Sequence, residues 1–352
     1  MFVPPYNAAS DVQNPQKGHR LADMPVHDPF VFADSRSGTY YLYSGAAPRL
    51  NGVDRHGVLV YKSTDLEEWE GPYGVFAVPD GVWADPQHGA WAPEVHEYRG
   101  RYYLLVTLHN EDRPLEGDPV QGYAKHWRGT ASAVSDSPEG PFELLQTDGP
   151  LIASERMTLD GTLYIDEEGA PWMVYCHEWV QTLDGTIEAV RLTEDLASAV
   201  GEPILLFKGS SAPWLNPDAA QETSDDDLRR EPHSGPTVQP HASSAAGEPA
   251  VYVTDGCQLY RTSGGSLVML WSSYEEGSYV QTIARSASGR LEGPWEQLEP
   301  LVQEDSGHGM LFRTFDGRRM LILHRPFSMP ESRGYLYEVE DRGDHFRIVD
   351  AF

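Results

Sequence analysis

Acidic residues and one histidine recur at the start of five short apolar segments along the chain. Each opens a run such as DPFVF or DGTLY, which has the length and composition of a β-strand. The five openings are Asp28, Glu94, Asp160, Asp255 and His308. If these side chains converge, they cannot all ionise freely, because neighbouring like charges raise one another's pKa. A cluster that holds one ionised carboxylate and one protonated carboxylic acid can do general acid and base chemistry, including hydrolysis of a glycosidic bond.

A repeated pattern explains how residues so far apart in sequence could meet. A second aromatic or aliphatic segment follows each opening, after a turn that contains the Gly typical of tight hairpins. The second segments begin at Tyr40, Tyr102, Pro171, Leu267 and Met320, and less regular third and fourth strands follow. Helical periodicity is scarce, so the pattern predicts an all-β fold. Four antiparallel strands repeated five times predict a five-bladed β-propeller that occupies residues 1–352 as a single catalytic domain.

The propeller geometry predicts which residues face the axis. The first strand of each blade lines the central channel, so we expect the five opening residues at one mouth of this channel. The second strand runs antiparallel to the first, and its end therefore returns to the same mouth. This places Glu178, in the segment CHEW, and His324 near the same rim.

Two stretches depart from the repeat. Residues 210–248, in the longest interval between openings, are polar, rich in Pro and Ser, and aperiodic, and we interpret them as a long loop. Residues 109–129 interrupt the second unit and are interpreted as a second long loop. If these loops wall off one end of the cleft, they favour exo action on the substrate.

Composition and charge exclude several classes of function. The chain has 26 Lys and Arg against 54 Asp and Glu, which gives a formal net charge of −28. Such a field repels both nucleic acid and anionic lipid, so we expect neither as a partner. Only two cysteines, Cys176 and Cys257, are present, and the N-terminal residues do not resemble a secretory signal. These features predict a cytoplasmic protein, and they leave its oligomeric state open.

The order and spacing of five motifs resemble glycoside hydrolase family 43, the inverting arabinofuranosidases, xylosidases and arabinanases built on a five-bladed propeller. The motifs are HDPFVFADSRSGTYYLYSG (27–45), WAPEVHEYRGRYYLL (91–105), LDGTLYIDEEGAPWMVY (159–175), TDGCQLYRTSGGSLVMLWSS (254–273) and GHGMLF (307–312). The resemblance implies an inverting glycosidase that cleaves arabinose- or xylose-containing glycans or oligosaccharides without a required cofactor. Opposite walls of a channel suit the gap of roughly 6.5–9.5 Å between carboxyl groups that inversion needs.

The resemblance assigns roles to three of the acidic residues and leaves the proton donor open. Asp28, in the first D-P motif, matches the general base, and Asp160 matches the residue that orients the acid and tunes its pKa. The general acid of the family is usually a Glu at the fourth opening, where this chain has Asp255. Glu178 is the other candidate and the preferred one, because its side chain is longer and Trp179 beside it could raise its pKa.

Further residues are predicted to bind substrate or an ion. Glu94 matches a position near the channel and is expected to support the substrate or neighbouring carboxylates. His308 matches an axial histidine that in some members helps hold a calcium ion or a water molecule, and either reading stays open. The remaining candidates are expected to stack on a sugar ring or to bind its hydroxyl groups, and they are Trp91, Trp179, His324 and Arg325.

Two other classes of function stay open from the sequence alone. The first is another five-bladed carbohydrate enzyme, either a retaining fructan hydrolase or a glycoside phosphorylase, and the latter would need cationic groups for phosphate. The second is a non-catalytic carbohydrate-binding propeller. The acidic character of Asp28, Asp160 and Glu178 favours catalysis, because recognition alone would be served as well by Asn, Gln or Ser.

Overall fold

The computed structural model describes residues 15–46, 54–215 and 250–351, and within them the chain forms five antiparallel sheets arranged as propeller blades. Blade one contains β1 (Gln16–His19), β2 (Phe30–Asp34), β3 (Thr39–Ala46), β4 (Gly57–Ser63) and β5 (Trp69–Ala77). Blade two contains β6 (Ala90–Tyr98), β7 (Arg101–Pro114), β8 (His126–Ser135) and β9 (Glu143–Leu144). Blade three contains β10 (Thr158–Ile165), β11 (Pro171–His177), β12 (Thr186–Leu192) and β13 (Ala199–Lys208).

The last two blades complete the ring. Blade four contains β14 (Asp255–Arg261), β15 (Leu267–Glu275), β16 (Ser278–Ser286) and β17 (Trp295–Gln297). Blade five contains β18 (Gly307–Arg313), β19 (Arg319–Arg325), β20 (Arg333–Asp341) and β21 (Phe346–Ala351). A short helix, α1 (Trp179–Thr182), follows β11, and a 3-10 helix (Gly209–Ser211) follows β13. The prediction of an all-β, five-bladed propeller is therefore confirmed.

Within each blade the strands follow one another as a meander, with β1 added at the outer edge of blade one beside β5. The hairpin between β6 and β7 shows why the sequence turns where it does. Tyr98 pairs with Arg101, so Arg99 and Gly100 form a two-residue turn with φ of 50° and 80°. Two consecutive positive φ values favour glycine, which the sequence supplies at the second position.

The blades pack face to face through their second strands. The second strands β7, β15 and β19 each contain a long run of consecutive buried residues, most of them apolar. A blade inside the ring is covered on both faces, so side chains on both sides of these strands are buried. Between blades three and four, Phe207 meets Trp271 edge to face at 5.4 Å between ring centroids. The outer strand β13 is exposed over about half of its residues, and Phe207 near its end is one of its two buried residues. Among the described residues, no helix is long and apolar enough to cross a membrane.

One residue at the inner edge of every blade has a left-handed backbone. These bulge residues are Asp28, Ala92, Asp160, Gly256 and His308, with φ of 48°, 44°, 54°, 55° and 51°. In blades two to five the register between the first and second strands shifts across this residue, as in a β-bulge. A positive φ is uncommon for residues other than glycine, so its recurrence at equivalent positions is a property of the fold.

The bulges divide the channel residues into two tiers. We call the five bulge residues the upper tier, and the residues two positions later the lower tier. The lower tier consists of Phe30, Glu94, Thr162, Gln258 and Met310, all of which are buried. Two of the five residues that the sequence placed in one ring at the mouth therefore lie at other positions in the structure. Glu94 lies in the lower tier, two residues beyond Ala92, and Asp255 lies one residue before Gly256.

The two predicted loops have different outcomes. Residues 109–129 were expected as a loop, but β7 extends to Pro114 and β8 begins at His126, so the loop is confined to residues 115–125. This loop packs Leu115, Val120 and Tyr123 against an apolar cluster that includes Trp179. Of the loop predicted at 210–248, the part from residue 216 onward lies outside the described residues.

Gly256→Ala is expected to lower the free energy of unfolding by about 1–3 kcal/mol. A Cβ atom at this position would lie 2.9 Å from Cγ of His308, so the imidazole must move. Urea denaturation measures the change. Gly38→Ala is the matched control, because Gly38 also has a positive φ of 66° but no atom within 4 Å of the added Cβ. A loss of stability no larger than that of the control would contradict the predicted contact with His308.

Candidate active site

The upper tier brings together the acidic residues expected at the mouth of the channel. Nδ1 of His308 lies 3.1 Å from Oδ1 of Asp28 and 3.9 Å from Oδ2 of Asp160. Ligating atoms of Asp160, Asp255 and His308 lie within 4.8 Å of one another. Asp255 directly precedes the bulge glycine of blade four, and its carboxyl group still reaches Asp160 and His308. Three carboxyl groups and a histidine from four blades therefore share one mouth.

Asp28 is held by histidines. Its Oδ1 atom lies 2.9 Å from Nδ1 of His27, 3.1 Å from Nδ1 of His308 and 3.4 Å from Nδ1 of His324. The backbone N–H of Asp28 donates to Nδ1 of His324 at 3.1 Å. Burial acts to raise the pKa of Asp28, but the attraction of His27 and His308 is stronger and holds this pKa well below its usual range. Asp28 is therefore an ionised carboxylate in a largely buried place.

Asp160 and Asp255 form a hydrogen-bonded carboxyl pair. Burial, together with the charge of Asp28, raises the pKa of Asp160 to about 7. Burial and then the charge of Asp160 raise the pKa of Asp255 well above its ordinary value. The backbone N–H of Gly256 donates to Oδ2 of Asp160 at 3.0 Å, and the hydroxyl of Tyr279 donates to Oδ2 of Asp255 at 2.8 Å. The hydrogen bond between the two carboxyl groups acts to lower the pKa of Asp160 and to raise that of Asp255, so the shared proton lies on Asp255.

Glu178 directly follows β11 and makes an ion pair with Arg128, which lies near the start of β8. Both side chains are largely buried. The guanidinium lies 4.8 Å over the ring of Trp91, and its Nε donates to Nδ1 of His109 at 3.1 Å. As the site stands, the Glu178 carboxyl group is committed to this ion pair.

Glu94 lies in the lower tier. Among the described residues, its hydrogen-bond partners are not the carboxyl groups of the upper tier. Its carboxylate accepts from the side-chain amide of Gln258 and lies 2.8 Å from Nε2 of His96. The hydroxyl of Thr162 donates to Oε1 of Gln258 at 3.4 Å. Glu94 therefore belongs to a buried network below the mouth.

The predicted sugar-binding side chains differ in their surroundings. Trp91 is half-buried at the mouth, with one face against Arg128. Trp179 is buried and meets Tyr123 edge to face at 5.4 Å, so its indole is packed rather than free. His324 is fully buried beneath Asp28. Arg325 pairs with Glu304 and lies 4.1 Å over the ring of Tyr335.

Several residues of the site were not singled out by the sequence. His27 stands directly before Asp28 in the sequence, and this adjacency was its only signal. Arg128 and His109 face each other across β7 and β8, where His109 pairs with Arg128 in register. In a blade, the third strand starts at the same mouth at which the second strand ends, because the two are antiparallel. Applied to β8, this geometry predicts that Arg128 lies near the mouth.

A calcium ion at His308 would need six to eight oxygen ligands at about 2.3–2.6 Å. Nδ1 of His308 is directed at Asp28, and the carboxyl groups of Asp160 and Asp255 are bonded to each other and to neighbouring donors. This donor set fits a shared proton better than an oxygen-rich calcium shell.

The arrangement joins an ionised carboxylate to a carboxyl pair that retains a proton. Asp28 can accept a proton from water, and the pair can supply one to an oxygen atom that leaves. These are the two groups that hydrolysis of a glycosidic bond by inversion requires.

Comparison with known proteins agrees with this reading. Residues 22–338 match the family model of glycosyl hydrolases family 43. An endo-arabinase from Bacteroides thetaiotaomicron VPI-5482 is similar in structure, with 35% identity, a TM-score of 0.73, and coverage of 94% of this chain and 100% of that one. No curated protein matches the sequence.

Two more distant structures share the fold. A thermostable family-43 glycoside hydrolase has 19% identity and a TM-score of 0.66, with 92% of each chain covered. An α-L-arabinofuranosidase from Lactobacillus brevis has 14% identity and a TM-score of 0.66, with 94% of this chain and 95% of that one covered. From the family match over most of its length and the identity to the endo-arabinase, the chain belongs to glycosyl hydrolases family 43.

Proposed function

We propose that this glycoside hydrolase cleaves arabinose-containing glycans with inversion at the anomeric carbon. One observation carries the proposal, namely that ionised Asp28 shares a channel mouth with the proton-holding pair of Asp160 and Asp255. The identity of 35% to an endo-arabinase supports arabinose as the sugar.

Asp28 is proposed as the general base. The nearest contacts of three histidines all fall on its Oδ1 atom, so we assign the second oxygen, Oδ2, to the attacking water. The water oxygen bonds to the anomeric carbon while its proton passes to Asp28. The bond from that carbon to the glycosidic oxygen breaks, and this oxygen takes a proton from the acid.

Asp255 is proposed as the general acid, in place of the earlier preference for Glu178. Its hydrogen bond to Asp160 matches the role expected for Asp160, which is to orient the acid and to raise its pKa. Glu178 is instead paired with Arg128. Asp255 has the shorter side chain, and its position one residue before Gly256 brings it to the upper tier.

The other candidates are given binding and supporting roles. Half-buried Trp91 and the buried pair of Arg128 and Glu178 form one wall near the mouth, and we assign them to sugar recognition. His324 and Glu94 are buried, so we assign them to support of the upper tier from below. A cytoplasmic location is also proposed, since Cys176 and Cys257 are both free thiols in the fold, and cell fractionation tests it.

The function is tested on linear arabinan and on aryl α-L-arabinofuranoside, β-xyloside and galactoside. We expect the arabinose compounds to be cleaved best, with proton NMR showing an inverted first-formed anomer. Asp28→Asn should lower kcat by about 10²- to 10⁴-fold without loss of binding, because the base is removed. Release of single arabinose units would support exo action, and larger products would oppose it. A retained anomer, or normal turnover by the variant, would contradict the proposal.

The acid is identified with Asp255→Asn and Glu178→Gln on two arabinosides that differ in leaving group. The variant that lacks the donor should lose most activity on the poor leaving group and recover much of it on the good one, because protonation is no longer needed. We expect this recovery for Asp255→Asn. For Glu178→Gln we expect a similar loss on both substrates. The opposite pattern would assign the acid to Glu178.

Asp160→Asn should move the alkaline limb of kcat/KM to lower pH. The variant loses the neighbouring charge that helps to raise the pKa of Asp255, so the acid loses its proton earlier as pH increases. At low pH the acid is protonated in both proteins, and the difference between them should be smaller. Asp34→Asn, which changes a buried carboxylate at the far end of β2, is the control and should leave the limb unmoved.

A further inference from the structure

His27 lies between two oxygen atoms at the mouth of the channel. Its Nδ1 atom is 2.9 Å from Oδ1 of Asp28, and its Nε2 atom is 2.9 Å from the backbone carbonyl oxygen of Phe327. The segment is fixed by Ser44, whose hydroxyl donates to the carbonyl of His27 at 2.8 Å and accepts its N–H at 3.4 Å. The ring therefore has a defined place and two partners.

Both partners of the ring can only accept hydrogen bonds. A carbonyl oxygen has no proton, and Asp28 is ionised. A neutral imidazole carries one N–H, so one of its nitrogens would direct a lone pair at an oxygen lone pair. Two hydrogen bonds form only when both nitrogens carry protons, and the ring is then a cation.

The other two histidines around Asp28 do not supply this charge in the same way. Nδ1 of His324 accepts the backbone N–H of Asp28, so its ring proton is on Nε2. Burial, followed by the repulsion of His27, lowers the pKa of His324 well below its ordinary value, and this ring is neutral. His308 needs only one N–H, on Nδ1, to reach Oδ1 of Asp28. Within the described residues, the contacts of the Asp28 carboxylate with basic side chains are all to histidines.

The groups that face His27 favour its charge. From its own segment it faces Asp28, and from blade five it faces the Phe327 carbonyl and the neutral ring of His324, stacked at 4.0 Å. Asp255 in blade four adds a longer-range attraction. Burial acts to lower the pKa of His27, but Asp28, the carbonyl and Asp255 outweigh it, and the pKa is raised.

We propose that His27 acts as an imidazolium cation that positions Asp28 and keeps it ionised, and that only the enzyme with protonated His27 is fully active. The proposal rests on the role of Asp28 as the base. His27 is a positioning residue, since it acts through Asp28.

A pH dependence follows from this charge. Because the folded protein holds the proton more tightly than the unfolded chain does, the ring is charged at low pH and loses its proton as pH rises through the raised pKa. One ring nitrogen of neutral His27 then directs its lone pair at Oδ1 of Asp28 or at the carbonyl oxygen of Phe327, and this lone pair repels that oxygen. The Asp28 carboxylate loses its orientation, and turnover falls.

The charge state is tested by ¹⁵N NMR of the histidine side chains in the whole protein, with His27→Gln used to assign the signal. We expect both ring nitrogens of His27 to carry protons at pH 6.5, and a midpoint of deprotonation above this value. A neutral ring at pH 6.5 would overturn the proposal. This reading does not depend on activity, so it stands or falls apart from the proposed reaction, which Asp28→Asn tests.

The positioning role is tested by kinetics on the aryl arabinofuranoside. His27→Gln should lower kcat by about 10- to 100-fold with little change in KM. It should also remove the part of the alkaline fall in kcat/KM that follows the NMR midpoint of His27, and leave the part that follows loss of the proton from Asp255. Ser44→Ala loosens the same segment without changing its charge, and is expected to keep that fall at the same pH. Wild-type kcat and an unchanged pH profile in His27→Gln would overturn the role.

Discussion

The site depends on one backbone constraint, which is the left-handed residue at the inner edge of every blade. The bulge interrupts the alternation of the first strand and turns one residue of each blade to the same level of the channel. Asp28, Asp160 and His308 hold three of these positions, and Asp255 reaches the level through its neighbour Gly256. A non-glycine residue with this backbone carries local strain, which the surrounding sheets offset. Functional side chains from separate blades thus meet, those of blades three to five on the first strands and Asp28 on the bend just before β2.

Opposite charge states at one mouth follow from unequal surroundings. Histidines collect around Asp28 and stabilise its charge, while Asp160 and Asp255 lie next to each other, where one proton lowers their repulsion. The protein is strongly acidic overall, yet the balance here is set by histidine and by a shared proton. Arg128, the strong cation nearby, is committed to Glu178.

The sequence predicts the blades well because hairpin turns and apolar strands are local features. It also predicts that Asp28, Asp160 and Asp255 share a mouth, since all stand at the start of a first strand. The bulge is harder to recognise in the sequence. Alanine does not mark a position with positive φ, so aligning the repeats on their polar residues selects Glu94 in place of Ala92. Contacts such as that of Arg128 with Glu178 depend on how two blades face each other, and no short motif encodes them. The packing of side chains around an aromatic ring is likewise a tertiary property.

The lower tier fills the channel below the upper tier with side chains. Gln258 bonds to both Glu94 and Thr162, and Phe30 and Met310 are buried beside them. The carboxyl groups of the upper tier therefore face the mouth, where the sugar is proposed to bind. With Asp28 as the proposed base, its proton returns to the medium on the side from which the product leaves.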